Sequence, residues 1–148
     1  MLIIAHFAVG VLIAHRFGIA LSLLLCLLSH FVLDAIPHWD PKLEKLPDKR
    51  LHIRKIRQQP SLVQKQLVIS SLIQLYLGMI IGYLLAFKES ADWLFVGGFV
   101  AVLPDMYEVI ADLANWPTIH FFEHRHIKWY VGIPVQVALV LLCLYLVM

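Results

Sequence analysis

Residues 1–37 read MLIIAHFAVGVLIAHRFGIALSLLLCLLSHFVLDAIP and hold two apolar runs, separated by His15-Arg16 and Gly18. The runs extend from about residue 2 to 14 and from about residue 19 to 36. We predict that they form a tight helical hairpin. Pro37 should end the second helix, because proline lacks a backbone N–H and restricts the residue before it.

The composition of the whole chain is that of a membrane protein. Of its 148 residues, 61% are hydrophobic and 15% are charged, and the mean hydropathy of +0.81 exceeds that of ordinary soluble domains. Further apolar segments cover about 62–87, 90–103 and 128–148. A helix needs about 20 residues to cross a hydrocarbon core of roughly 30 Å. The sequence therefore predicts an all-α, polytopic membrane helix bundle of about five apolar helices, forming one domain over residues 1–148.

A polar loop at about 37–60 contains most of the basic residues. They are Lys42, Lys45, Lys49, Arg50, Arg54, Lys55 and Arg57. The positive-inside rule places this loop, and with it the N-terminus, in the cytoplasm. We interpret the loop as a topology signal that contacts anionic membrane lipids. The formal net charge of +2 is too small to indicate nucleic-acid binding.

The same topology gathers many possible metal ligands at the cytoplasmic side of the bundle. These are His6, His30, Asp34, His38, Asp40, Asp105, Glu108, Asp112, His120, His124 and His126. An ionisable group at bilayer depth is costly, about 2.5–3.5 kcal/mol for a central Asp on insertion scales. Such groups need partners.

His30 and Asp34 form the strongest pair in this set. They lie four residues apart in SHFVLDAIPHWD (29–40), so both side chains fall on one helical face. Imidazole nitrogen and carboxylate oxygen are suitable zinc ligands. Two interpretations stay open, a shared metal or an intrahelical hydrogen bond that neutralises two buried groups. His6, taken alone, is more typical of a hydrogen-bonded packing histidine.

Three further segments carry additional candidates. Asp105, Glu108 and Asp112 form one helical stripe, which is either a second acidic contribution or a wetted interfacial helix. His38 and Asp40 follow the Pro37 break and could act as ligands or orient them. FFEHRHIKW (121–129) could supply a third contribution.

Four short motifs carry a resemblance to a known family. AHFAVG (5–10), SHFVLDAIPHWD (29–40), GGFVAVLPD (97–105) and EHRH (123–126) together resemble the inner-membrane metal-dependent hydrolases. The pattern is also distantly similar to zinc-dependent phospholipase C. The resemblance implies a multi-pass helical protein of the cell inner (plasma) membrane. It also implies a metal site, with the ligands His6, His30, Asp34, Asp105 and His124.

These observations lead to two functional hypotheses. The first is a divalent-metal hydrolase, with zinc as the expected ion, that acts on a lipid or phosphoester at the cytoplasmic membrane face. Metal-bound water would be the nucleophile and Glu108 or Asp40 the general base, while Arg125 and Lys128 would stabilise a phosphate. The second is a non-enzymatic metal-binding membrane scaffold or adaptor, which predicts bound metal without turnover. A transporter is less favoured, because the polar residues do not continue across the membrane.

Overall fold

A computed structural model describes residues 3–17, 19–36, 61–114, 116 and 128–148, with the backbone alone at 61–64, 67, 112 and 113. The described residues form helices and no strand. The helices are α1 (Ile3–Phe17), α2 (Ile19–Ala35), α3 (Ser61–Glu89), α4 (Trp93–Ala114) and α5 (Trp129–Val147). The predicted all-α bundle of about five apolar helices is therefore confirmed.

The helices differ in whether they could cross a membrane. Three segments are long and apolar enough, namely Val68–Glu89, Trp93–Ala111 and Trp129–Val147. At 15 and 17 residues, α1 and α2 are shorter, spanning about 22–26 Å of a hydrocarbon core of roughly 30 Å. The three long helices fit a membrane protein. The basic loop at 37–60 lies outside the described residues, and its cytoplasmic orientation stays a prediction.

The shortest helix occupies the centre of the bundle. α1 packs against each of the other four helices, whereas α2 and α3 each pack on α1 and α4. Eight of the fifteen α1 residues are buried. The outer helices instead expose large apolar side chains such as Leu24, Phe87 and Tyr145. An apolar outer surface is what helices that face lipid require.

Small residues let α1 and α4 touch through their backbones. A Cβ placed on Gly10 would lie 2.5 Å from the carbonyl oxygen of Gly97, and one placed on Gly97 would lie 2.5 Å from the Cβ of Ala14. Neither position has room for a methyl group, which is the usual basis of close helix packing in membranes. The Cys26 thiol of α2 donates a hydrogen bond of 3.3 Å to the Gly10 carbonyl. Three helices thus meet at this crossing.

A slot formed by three glycines receives the ring of Phe7. Gly78 and Gly82 of α3 form the GxxxG pair visible in the sequence, and Gly98 of α4 completes the slot. A Cβ on Gly78 would lie 3.0 Å from the Phe7 ring, and one on Gly98 would lie 2.6 Å from it. The GxxxG pair therefore accepts an aromatic side chain of the same chain. Phe7 directly follows His6 along α1.

The first turn of α1 obtains its hydrogen bond from the middle of α3. The backbone N–H of Ile3 donates to Oε1 of Gln74 over 2.9 Å. The first N–H groups of a helix have no partner within that helix, and an apolar surrounding offers them no water. Gln74, a polar residue in the middle of an apolar helix, therefore has a structural role at the start of α1.

Basic side chains bind the last carbonyls of the chain at the end of the bundle opposite the start of α1. Arg16 donates to the carbonyl of Leu146 over 3.0 Å, and Lys88 lies 3.5 Å from the carbonyl oxygen of Met148. Cations satisfy the last carbonyls of a helix in this way. His6 precedes Arg16 by two to three turns of α1, about 15 Å along the axis. The polar groups around His6 therefore lie toward the other end of the bundle, near the start of α1.

Candidate metal centre

Three helices bring four ionisable side chains together. His6 lies in the second turn of α1, His30 and Asp34 lie near the end of α2, and Asp105 lies on α4. Because α1 and α2 form an antiparallel hairpin, the start of one helix is beside the end of the other. His6 is 0% exposed, His30 is 4% exposed, and each aspartate is 8% exposed. The four groups are therefore almost fully withdrawn from solvent.

The two oxygens of the Asp34 carboxylate each face the Nε2 atom of a different imidazole ring. Its Oδ1 is 3.2 Å from Nε2 of His6 and its Oδ2 is 3.2 Å from Nε2 of His30. The two rings are stacked, with centroids 4.2 Å apart and planes inclined by 27°. One ligand atom from each of His6, His30 and Asp34 lies within 4.8 Å of the others. This buried group could hold a metal ion.

The spacing of these atoms fits a small divalent ion. Ligand atoms at 2.0–2.2 Å from a tetrahedral zinc lie about 3.3–3.6 Å from one another. The two histidine Nε2 atoms each lie 3.2 Å from an oxygen of Asp34, a different oxygen for each, and both distances are close to that range. Small shifts of the side chains would accommodate the ion.

The hydrogen bond of His30 determines which of its nitrogens is available. Nδ1 lies 3.0 Å from the carbonyl oxygen of Ala101 on α4. A carbonyl can only accept, so Nδ1 carries the proton and, in a neutral ring, Nε2 carries the lone pair. That lone pair faces an oxygen of Asp34, an arrangement that needs a proton or a cation between the two acceptors. Metal-binding histidines typically donate their other N–H to a carbonyl in this way.

His6 and Asp105 contain buried atoms that lack partners. Within the described part of the chain, neither ring nitrogen of His6 has a hydrogen-bond partner, and neither does Oδ2 of Asp105. Nε2 of His6 is near Asp34 in distance but is not aligned for a hydrogen bond with it. A buried polar atom without a partner costs about 1–3 kcal/mol. The misalignment suits coordination of an ion better than a direct hydrogen bond.

Asp105 lies at the edge of this group. Its Oδ2 is 3.9 Å from Nε2 of His6, but Asp105 does not belong to the set whose ligand atoms all lie within 4.8 Å of one another. Two ligand atoms on one ion, each at 2.0–2.2 Å, can be at most about 4.4 Å apart. Asp105 therefore lies beside the three-residue group of His6, His30 and Asp34 but too far from part of it to bind the same ion in this arrangement.

The charge of the site also favours a cation. Asp34 and Asp105 bring two carboxylates into a buried, apolar surrounding. Uncompensated charge in such a place costs several kcal/mol for each ion, roughly, even after relaxation. A divalent cation would neutralise both carboxylates while leaving the histidines neutral, whereas without metal this charge would have to be balanced by protons on the carboxylates or on the histidines.

The remaining predicted residues have different outcomes. Glu108 lies on α4, three residues after Asp105, and is partly buried outside the three-residue group. Asp40 and His124 lie outside the described residues, as do Arg125 and the candidate histidines His38, His120 and His126. Their predicted roles stay predictions. Lys128 places its ammonium 5.8 Å from the centre of the Tyr130 ring, a cation–π contact.

Sequence reasoning missed the Ala101 carbonyl and the role of Gln74. Ala101 contributes only a backbone atom, so its residue type carries no chemical signal. Gln74 is a polar residue in an apolar segment, but nothing in the sequence connects it to the start of α1. Only the packing of α1 against α3 reveals that connection.

Fold and site together define an all-α bundle of membrane type with a buried His-His-Asp group that could hold a metal ion. Comparison with known proteins found no matching family model, no matching curated protein and no matching solved structure. The geometry of the site and the resemblance of its sequence motifs are therefore the grounds for assigning a function.

Proposed function

We propose that the chain is a membrane-embedded, divalent-metal-dependent hydrolase, with zinc as its ion. The observation that carries this proposal is the buried group of His6, His30 and Asp34, in which Nε2 of His6 has no hydrogen-bond partner among the described residues. A catalytic zinc site uses three protein ligands and keeps a fourth position for water or substrate. This group offers three.

The surrounding residues support hydrolysis rather than only binding. A bound divalent ion would supply a water of lowered pKa as nucleophile. Asp105, with an unpartnered oxygen 3.9 Å from Nε2 of His6, would accept a hydrogen bond from a molecule held in the open position. His30 would be held in one orientation by Ala101. Glu108 and Asp40 stay the candidate general bases.

The setting of the site favours a substrate with an apolar part. Near the two aspartates in sequence, large apolar side chains are exposed: Val32 on α2, Ile36 directly after α2, and Leu103 and Tyr107 on α4. A lipid or lipid-like phosphoester could contact these surfaces while presenting its polar bond to Asp34 and Asp105. A freely soluble substrate would gain nothing from them.

We place this activity at the cytoplasmic face of the inner membrane, because the basic loop at 37–60 follows the positive-inside rule. Single cysteines introduced at Lys49 and at Glu89 test the orientation in spheroplasts. We expect an impermeant maleimide to label the cysteine at 89 and to spare the one at 49. Cys26 and Cys143 are buried and should give little background. Labelling of both positions from one side would contradict the topology.

A non-enzymatic metal-binding scaffold or adaptor is the second candidate. It is supported by the origin of the ligands, because one ion would join α1, which carries His6, to α2, which carries His30 and Asp34. This alternative requires bound metal but no turnover of any substrate.

Turnover separates the two candidates. Purified protein in lipid nanodiscs, loaded with zinc, is incubated with phospholipids and with a soluble aryl phosphoester, beside a His30→Ala, Asp34→Ala double variant. We expect the wild type to bind about one zinc and to hydrolyse a phospholipid, and we expect the variant to do neither. Bound zinc without hydrolysis of any substrate would favour the scaffold. Near-zero zinc in both proteins would refute both candidates.

A further inference from the structure

Pro104 interrupts the backbone hydrogen bonding of α4 beside the metal group. It lies inside the helix, three residues after Ala101 and directly before Asp105. Proline has no N–H to offer the carbonyl four residues earlier, here Val100, and its ring crowds the carbonyls of the preceding turn. Helices bend at such positions, and the carbonyls that are released need other donors.

Ala101, in that same turn, uses its carbonyl to bind a residue of another helix. Its oxygen accepts the Nδ1–H of His30 over 3.0 Å, and both residues are almost fully buried. In a regular helix this carbonyl points along the axis toward the N–H of residue 105, so a side chain from a neighbouring helix has to reach it from the side, as the Cys26 thiol does at the Gly10 carbonyl. A distortion at Pro104 would turn the carbonyl outward toward α2.

We propose that Pro104 is a positioning residue of the metal centre, which orients His30 through the Ala101 carbonyl. It thereby fixes the proton of His30 on Nδ1 and directs Nε2 toward Asp34. This inference rests on the proposed metal-binding function, but the link from Pro104 to the ring of His30 can be measured in the metal-free protein. The role is indirect, because Pro104 itself would touch neither ion nor substrate.

The chain offers a matched control. Pro134 also lies inside a helix, α5, which carries none of His6, His30, Asp34 and Asp105. A general effect of removing a proline from a helix should appear in Pro134→Ala as well. An effect on His30 should appear in Pro104→Ala alone.

The experiment compares Pro104→Ala, Pro134→Ala and wild type in detergent. Zinc affinity is measured by competition with a chromophoric chelator, and the tautomer of His30 is measured by long-range ¹H–¹⁵N NMR, assigned with a His30→Gln variant. We expect Pro104→Ala to raise the Kd for zinc by about 10- to 100-fold, the usual effect of losing a partner of a metal-bound histidine. We also expect its metal-free His30 to change from Nδ1–H to a mixture of tautomers, with Pro134→Ala unchanged in both.

Each outcome supports or overturns the proposal. An unchanged Kd and an unchanged tautomer in Pro104→Ala would overturn it, as would equal effects in both variants. If Pro104→Ala does not fold, Pro104→Leu replaces it in the same assays, and a wild-type, metal-free His30 protonated on Nε2 alone would overturn the proposal, because that ring cannot donate to the Ala101 carbonyl. If wild type binds no zinc, the proposed function fails, while the tautomers still test the link between Pro104 and His30.

Discussion

Asp34→Asn is expected to weaken zinc binding by at least about 100-fold. Asp34 lies 3.2 Å from both imidazoles, so its carboxylate connects the two rings. Asparagine keeps the shape of the side chain but removes its charge. Removing one partner from a buried charged group typically costs about 3–5 kcal/mol, and each 1.4 kcal/mol corresponds to about tenfold in affinity. Isothermal titration with zinc in detergent measures the loss.

The same variant distinguishes a metal site from a plain ion pair. If metal is the natural partner of the site, Asp34→Asn in chelator should unfold at nearly the temperature of the metal-free wild type. If Asp34 instead balances protonated histidines, the variant should be markedly less stable even in chelator. Asp92→Asn is the matched control, because Asp92 is exposed at the start of α4. Unaltered zinc affinity in Asp34→Asn would contradict the proposed site.

Removal of metal is expected to lower the unfolding temperature of the wild type by about 10 °C. A ligand that binds only the folded state stabilises it by about 4 kcal/mol when its free concentration is 1,000 times Kd. For a chain of this size each kcal/mol corresponds to about 2–4 °C. Thermal unfolding in detergent, followed by circular dichroism with EDTA and then with excess zinc, measures the shift and its reversal.

A His6→Ala variant is the control for the chelation experiment. It removes the side chain whose Nε2 lies 3.2 Å from Asp34 and 3.9 Å from Asp105, so EDTA and zinc should no longer change its unfolding temperature. A zinc response as large as that of wild type would show that the ion stabilises the chain elsewhere. No response in either protein would argue against a metal centre.

Hydropathy was sufficient to predict the helices but not their arrangement. The apolar runs predicted all five, and Pro37 predicted the end of α2, which the structure places at Ala35. That α1 is central did not follow from sequence, because both α1 and α5 are strongly apolar. Which apolar helix is surrounded by others depends on close contacts such as that between Gly10 and Gly97. Those contacts join residues far apart in the chain.

The group of His6, His30 and Asp34 was predictable from sequence only for the two residues that are close together in the chain. His30 and Asp34 are one turn apart, and their proximity follows from helical geometry alone. The approach of His6 to Asp34 requires the hairpin, and that of Asp105 requires α4 to pack against both helices. The orientation of His30 depends on a backbone carbonyl. Every residue has a backbone carbonyl, so the sequence does not single out the one at Ala101. Only the nearby Pro104 marks this part of α4.

The glycine slot around Phe7 has a consequence for the angle at which His6 is presented. Consecutive helical residues point about 100° apart, so α1 cannot rotate about its axis without moving both side chains. Any such rotation would drive the Phe7 ring into the backbones at Gly82 and Gly98, where even a methyl group has no room. The slot thus fixes the rotation of the whole helix about its axis, and the direction of the His6 imidazole is set by an aromatic neighbour that has no chemistry of its own.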